Sequence, residues 1–162
     1  MTPPVPEAVS SPTSVFVYGT LMPGERYEAV ARAAGTPEGQ EPATLEGYAL
    51  YHLHPEGYPA LVAGGGRVRG WLLHYDPAVW LAALVRLDDL EGLHLHPPLY
   101  SRTLAAASTQ AGESRLAWVY LYARTARLQH SGCLAVLSGD WTDVPGREAG
   151  VGWPGDDHAG EA

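Results

Sequence analysis

The sequence predicts an α+β domain built on a closed or nearly closed β-sheet, and three observations carry that reading. Glycine and proline cut the chain into short β-type segments rich in aromatic, aliphatic or β-branched residues. Against them stands a single substantial helix, beginning at Asp76-Pro77. From Arg67 to Tyr75, Val68, Gly70, Leu72 and His74 alternate with Arg69, Trp71, Leu73 and Tyr75, so both faces of that strand are at least partly covered. Many strands and one helix favour a barrel-like domain over a doubly wound parallel sheet.

Residues 1–13 carry four prolines among small and polar residues and read as a disordered leader. Val15 to Tyr18 reads as a buried strand that stops at Gly19. Glu25 to Ala34 has helical composition and closes on Gly35. Thr44–Leu53, Arg67–Tyr75, Leu99–Ala107 and Leu116–Ala123 read as further strands. The main helix has Asp76 as N-cap and Pro77 at its first position, with Val79, Ala83, Leu87 and Leu90 at helical spacing and Gly92 as its stop. From Gly146 to residue 162 the composition reads as a flexible tail, which leaves one domain over residues 14–145.

Composition excludes several function classes. A chain of 162 residues, 46% hydrophobic, is the size of one domain. Its formal charge of −8 opposes binding to nucleic acid or anionic lipid. All ten basic residues are arginine, so Schiff-base, pyridoxal phosphate and Walker-type lysine chemistries have no residue to act through. The lone Cys133 can form no intrachain disulfide and reads as a buried thiol, in keeping with a reducing compartment. No signal-peptide core or long apolar run is present, and the expected location is the cytoplasm, with no membrane partner.

Three features can carry chemistry. Asp88, Asp89 and Glu91 crowd the C-terminal turn of the main helix, where the helix dipole disfavours carboxylates. A carboxyl held there, near other acids and partly buried, has a raised pKa and suits proton transfer; the alternative is a set of solvated surface acids. Glu91 is favoured because it borders Gly92, where the chain leaves the helix. The second feature is the turn Tyr18-Gly19-Thr20, whose glycine lets backbone N–H groups approach an anionic oxygen, although from the local residues alone an ordinary strand-to-helix turn is the simpler reading. It lacks the glycines and lysine of a phosphate loop. The third is the pair of histidine doublets, His52/His54 and His94/His96, at a spacing that in a strand places both rings on one face. They read as metal ligands beside Glu91 or, more simply, as packing residues, with no helical metal signature in support.

VFVYGTLMPG, then LDDLEG about seventy residues later, then Leu99-Tyr100-Ser101-Arg102 and the strand Ala117 to Tyr122, together resemble the gamma-glutamylcyclotransferase-like superfamily, on the side of its gamma-glutamylamine cyclotransferase and avirulence-induced-gene-like members. The motifs occur in order over roughly residues 14–123. The resemblance implies a compact mixed β-barrel with a few short helices. It also implies cyclisation of a gamma-glutamyl amine or amide to 5-oxoproline with release of the amine, in a transferase or lyase type of reaction. Mapped onto this chain, it makes Glu91 the catalytic acid/base and Tyr18, Gly19, Thr20 and Leu21 the cradle for the glutamyl part. No metal and no cofactor is implied.

Tyr100 and Arg102 alternate on an incoming strand and are expected at the substrate, with Arg102 equally placed to pair with Asp88 or Asp89. Tyr120 is expected to line the pocket with Tyr122, or to serve in the core. The alternative to an enzyme is a non-catalytic binding or regulatory domain that keeps the same pocket. The His-Leu-His-Pro-Pro loop and the C-terminal stretch depart from the family's commoner patterns, and the leaving amine and the oligomeric state are not encoded legibly.

Overall fold

Residues 12–147 are described by the computed structural model. The expected leader and tail fall outside these residues except at their inner ends, which are held to the domain. Thr13 Oγ1 donates to Tyr75 O at 2.9 Å, Trp118 Nε1 donates to Pro12 O at 3.1 Å, and Arg147 forks onto Glu25 at 2.8 and 3.0 Å.

The order is β1 (Ser14–Val17), α1 (Glu28–Arg32), β2 (Gly39–Leu53), β3 (Tyr58–His74), α2 (Pro77–Leu90), β4 (Tyr100–Thr109), β5 (Ser114–Tyr122) and β6 (Cys133–Ala135), with 3₁₀ turns at Thr125–Gln129 and Trp141–Asp143. The strands run β3-β1-β5-β4-β2, and β2 pairs back onto β3. This closes a mixed barrel with β6 as an extra strand on β2. The β1–β5 pairing is parallel, Val15 facing Trp118 and Phe16 facing Val119, and the others are antiparallel. Closure leaves the barrel without a free edge, which is how an all-round covered sheet satisfies its backbone.

Val15, Phe16, Leu45, Leu53, Leu61, Leu72 and Val119 fill the core at 0–1% exposure. Helix α2 presents Trp80, Ala83, Leu87 and Leu90 to the interior. Its start follows the expected signals: the Asp76 carboxylate accepts from Ala78 N–H at 2.8 Å, and Pro77 sits where a missing N–H costs nothing. Trp80 is buried in place of Val79, and the other three positions of the expected stripe are buried as read.

Several expectations are corrected. The segments read as starting at Thr44 and Arg67 belong to two much longer strands of 15 and 17 residues, joined as one hairpin. Their pairing is irregular around Tyr48, opposite the Gly64-Gly65-Gly66 run, and that irregularity breaks the alternation that reveals a strand. The first helix shrinks from Glu25–Ala34 to five residues, because Glu25 and Tyr27 bond back to Met22 and Thr20 in turns. His54 lies beyond the end of β2, exposed, while His52 is buried within it, so the two do not share a strand face. Cys133 is half-buried in β6 rather than buried.

Candidate active site

Strand β1 delivers the chain into the turn Tyr18-Gly19-Thr20-Leu21, all four residues buried. The Tyr18 hydroxyl donates to Tyr120 O at 2.5 Å and ties the turn to β5. Gly19 lies against the ring of Pro59, where a Cβ would overlap Pro59 Cγ. The turn's own bonds run from Met22 N–H to Gly19 C=O and from Tyr27 N–H to Thr20 C=O. The N–H groups of Gly19, Thr20 and Leu21 make no hydrogen bond to another described residue. N–H groups without a protein partner in a buried turn are available to an anionic oxygen.

Helix α2 brings up the acid. Beyond Leu90, Glu91 is the C-cap, Gly92 takes a left-handed φ of 69°, Gly92 N–H donates to Asp89 C=O and Leu93 N–H donates to Asp88 C=O. These two bonds make a Schellman termination, which needs the glycine and fixes the residue before it. Glu91 is therefore rigidly presented, 4% exposed, and its Oε2 has no hydrogen-bond partner. Burial, and then the charge of Asp88, push its carboxyl well above the ordinary range. Thr20 Oγ1 is buried and without a partner as well. An unsatisfied buried polar atom costs about 1–3 kcal/mol, so two of them in one pocket mark a place where a ligand completes the bonding.

Phe16, Val17, Tyr18, Gly19, Thr20, Leu21, Pro59, Glu91 and Tyr120 line a single small pocket of about 10 Å³. Six predicted residues thus meet: Glu91, the four residues of the turn, and Tyr120. The remaining two stand behind them. Tyr100 is fully buried and its hydroxyl donates to Pro59 O, which anchors the pocket wall. Arg102 forks onto Asp88 at 2.9 and 3.1 Å and lies over the Trp118 ring at 4.7 Å. Tyr120 donates its hydroxyl to the same Asp88 carboxylate at 2.6 Å. Tyr18, Tyr100 and Tyr120 are all held neutral by burial, which raises their pKa values well above that of free tyrosine.

Pro59 was not foreseen as a site residue. Its segment lies between the strands read at Thr44–Leu53 and Arg67–Tyr75, outside any element read from the sequence, and only the closed hairpin carries it back to Gly19. The histidines do not converge on Glu91. His52 accepts from Trp141 Nε1 at 3.1 Å, and His94 Nδ1 lies 3.5 Å from Asp89. Among the described residues no three His, Cys, Asp or Glu side chains are placed to hold a metal ion. No helix among them is long and apolar enough to cross a membrane.

A larger groove of about 370 Å³ lies elsewhere, on the outer face of β2–β3, lined by Arg67, Arg69, Trp71, Gln110 and the Asp140–Thr142 turn. Its one carboxylate, Asp140, already accepts from Thr142 N–H and Oγ1 at 3.0 and 2.6 Å. It holds no buried acid and no unpartnered buried side-chain atom, whereas the smaller pocket holds both.

Over residues 15–143 the chain matches the model of a family described as gamma-glutamyl cyclotransferase, AIG2-like. No curated protein matches it significantly. It is similar in structure to the protein ytfP from Escherichia coli, at 29% identity and a TM-score of 0.52, over 80% of this chain and 96% of that one. It is also similar to an AIG2-like protein from Mus musculus, at 24% identity and a TM-score of 0.54, over 68% of this chain and 76% of that one. A third similar structure is a gamma-glutamyl cyclotransferase, at 18% identity and a TM-score of 0.50, over 68% and 66%. The last two, at such identities, bear on the fold alone.

Proposed function

Because the chain belongs to the gamma-glutamyl cyclotransferase, AIG2-like family, we propose that it cyclises a gamma-glutamyl amine or amide to 5-oxoproline, with Glu91 as the acid/base. The observation that carries this reading is a buried Glu91 whose Oε2 is unpartnered, lining one small pocket with the Tyr18-Gly19-Thr20-Leu21 turn and its unpartnered Thr20 Oγ1.

The substrate brings its own nucleophile. Its α-amine attacks its γ-carbonyl, a C–N bond closes the five-membered ring, and the original amide C–N bond breaks. Glu91 takes the proton released by the α-amine and returns it to the departing nitrogen, so the carboxyl ends as it began. A carboxyl whose proton affinity is raised above the ordinary range suits the return of that proton to the departing nitrogen, and general acid–base catalysis is typically worth about 10²–10⁴-fold. The N–H groups of Gly19, Thr20 and Leu21 hold either the substrate carboxylate or the oxyanion of the tetrahedral intermediate; each such donor is typically worth about 10²–10³-fold. Confinement against Pro59 and Tyr120 folds the glutamyl chain toward closure, which lowers the entropic part of the barrier.

The test is mass-spectrometric detection of 5-oxoproline after incubation with a panel of gamma-glutamyl amines, gamma-glutamyl amino acids and glutathione, beside Glu91→Gln. Product from the wild type and not from the folded variant supports the reading. Equal release by both removes Glu91 from its role. Ligand-dependent thermal stabilisation without product across the panel assigns the pocket to binding alone.

A further inference from the structure

Glu91 does not stand by itself at the end of α2. Asp88 lies one helical turn earlier, on the same face, and its carboxylate receives three hydrogen bonds. Two come from the Arg102 fork on β4 and one from the Tyr120 hydroxyl on β5. Asp88 and Arg102 side chains are 24% and 23% exposed, and the guanidinium is covered by Trp118. A bidentate pair with an added hydroxyl donor, largely out of water, is among the better-defined charge arrangements a protein makes.

We infer that Arg102 is a positioning residue for Glu91: its fork neutralises the Asp88 carboxylate beside Glu91 and, through that carboxylate, holds the Tyr120 wall of the pocket. The inference rests on the acid/base reading of Glu91. Two consequences follow. Without Arg102, Asp88 is an uncompensated negative charge one turn from Glu91, and a like charge disfavours the ionised carboxyl. Without the Asp88 charge, the like charge one turn from Glu91 is gone and the Arg102 cation is left uncompensated, so ionisation becomes easier. The remaining ionisable groups facing Glu91 are Tyr18 from the end of β1, Tyr100 from β4 and Tyr120 from β5, and all stay neutral through the working range. Asp89 is directed to His94 on the exposed side.

The arrangement therefore demands shifts of opposite sign from its two charged members, which a purely structural ion pair does not. The experiment follows the Glu91 carboxyl by ¹³C NMR as pH is varied, its signal identified by absence from Glu91→Gln, in wild type, Arg102→Gln, Asp88→Asn and the double variant. Arg102→Gln moves the Glu91 midpoint up, Asp88→Asn moves it down, each by about one unit, and the double variant returns near wild type. Arg102→Lys keeps the charge without the fork, so the midpoint stays and KM rises as Tyr120 loosens. If Arg102→Gln fails to fold, Asp88→Asn still moves the midpoint down and Arg102→Lys still leaves it in place while KM rises. Arg102→Gln and Asp88→Asn shifting the midpoint in the same direction, or either of these two leaving it unmoved in a folded protein, overturns the inference. Midpoints that move as stated in a protein that releases no 5-oxoproline would sink the proposed reaction and leave this coupling standing.

Discussion

Gly19 and Pro59 meet so closely that the backbone of one forms a wall for the ring of the other. Gly19 has no φ in the left-handed region, so its glycine is required by space and not by conformation. Gly19→Ala forces a methyl into a rigid pyrrolidine ring. The expected result is a loss of about 1–3 kcal/mol in stability, read by urea denaturation. Turnover falls by about 10²-fold as the turn's N–H groups move off line, read by steady-state kinetics.

Gly92 is needed for the other reason. Its φ of 69° is strained for any other residue, and a Cβ would lie 2.9 Å from both Leu95 Cδ1 and Leu99 Cβ. Gly92→Ala is expected to cost about 1–2 kcal/mol, measured by thermal or urea unfolding. Because Gly92 ends the helix that presents Glu91, kcat falls more than KM rises.

Burial favours the neutral form of Glu91, so its contribution to stability is complete below the ordinary carboxyl pKa of 4.5 and is lost as pH rises through the raised value. Glu91→Gln stays neutral throughout. The melting temperature of the variant minus that of wild type is therefore expected to grow from pH 5 to pH 8; a constant difference would mean that Glu91 is not held neutral.

His52 titrates with the opposite sign. Burial first, and then the neighbouring His54, lower its pKa below 6.5, and Trp141 Nε1 donates to its Nδ1, which requires the neutral ring with its proton on Nε2. Its contribution is present above pH 6.5 and is lost on acidification toward the lowered value. Between pH 7.5 and 5.5, wild type is expected to lose more melting temperature than His52→Gln does. A larger loss in the variant would contradict the assigned tautomer.

The parts of the fold that read clearly from sequence are those where local chemistry and tertiary role agree. Asp76-Pro77 opens α2, Gly92 ends it, and the crowded acids at that end are where the buried Glu91 lies. The turn after Val17 reads as a break for the same reason. What stayed hidden depends on pairing partners distant in sequence. The segment from Tyr58 to Val62 is a strand because Leu53 to Ala49 lie opposite it, and Pro59 becomes a pocket residue through Gly19. Trp141, at 0% exposure, sits in a stretch rich in Gly, Asp and Pro that carries no periodicity, and it is buried because His52 and Arg147 receive it. Arg102 read equally as a substrate ligand or as a partner of Asp88, a choice that alternation on a strand cannot make.

The parallel pairing of β1 with β5 places Phe16 against Val119, and the Tyr18 hydroxyl bond to Tyr120 spans 102 positions of chain. Such long loop closures are entropically late events, and a topology dominated by them folds slowly. On the ribosome, the first strand must wait for the fifth to emerge before its turn has a wall to face. The protein is thus expected to acquire its pocket in one step once the fifth strand is made, and fragments that stop short of Tyr120 should possess no partial version of it.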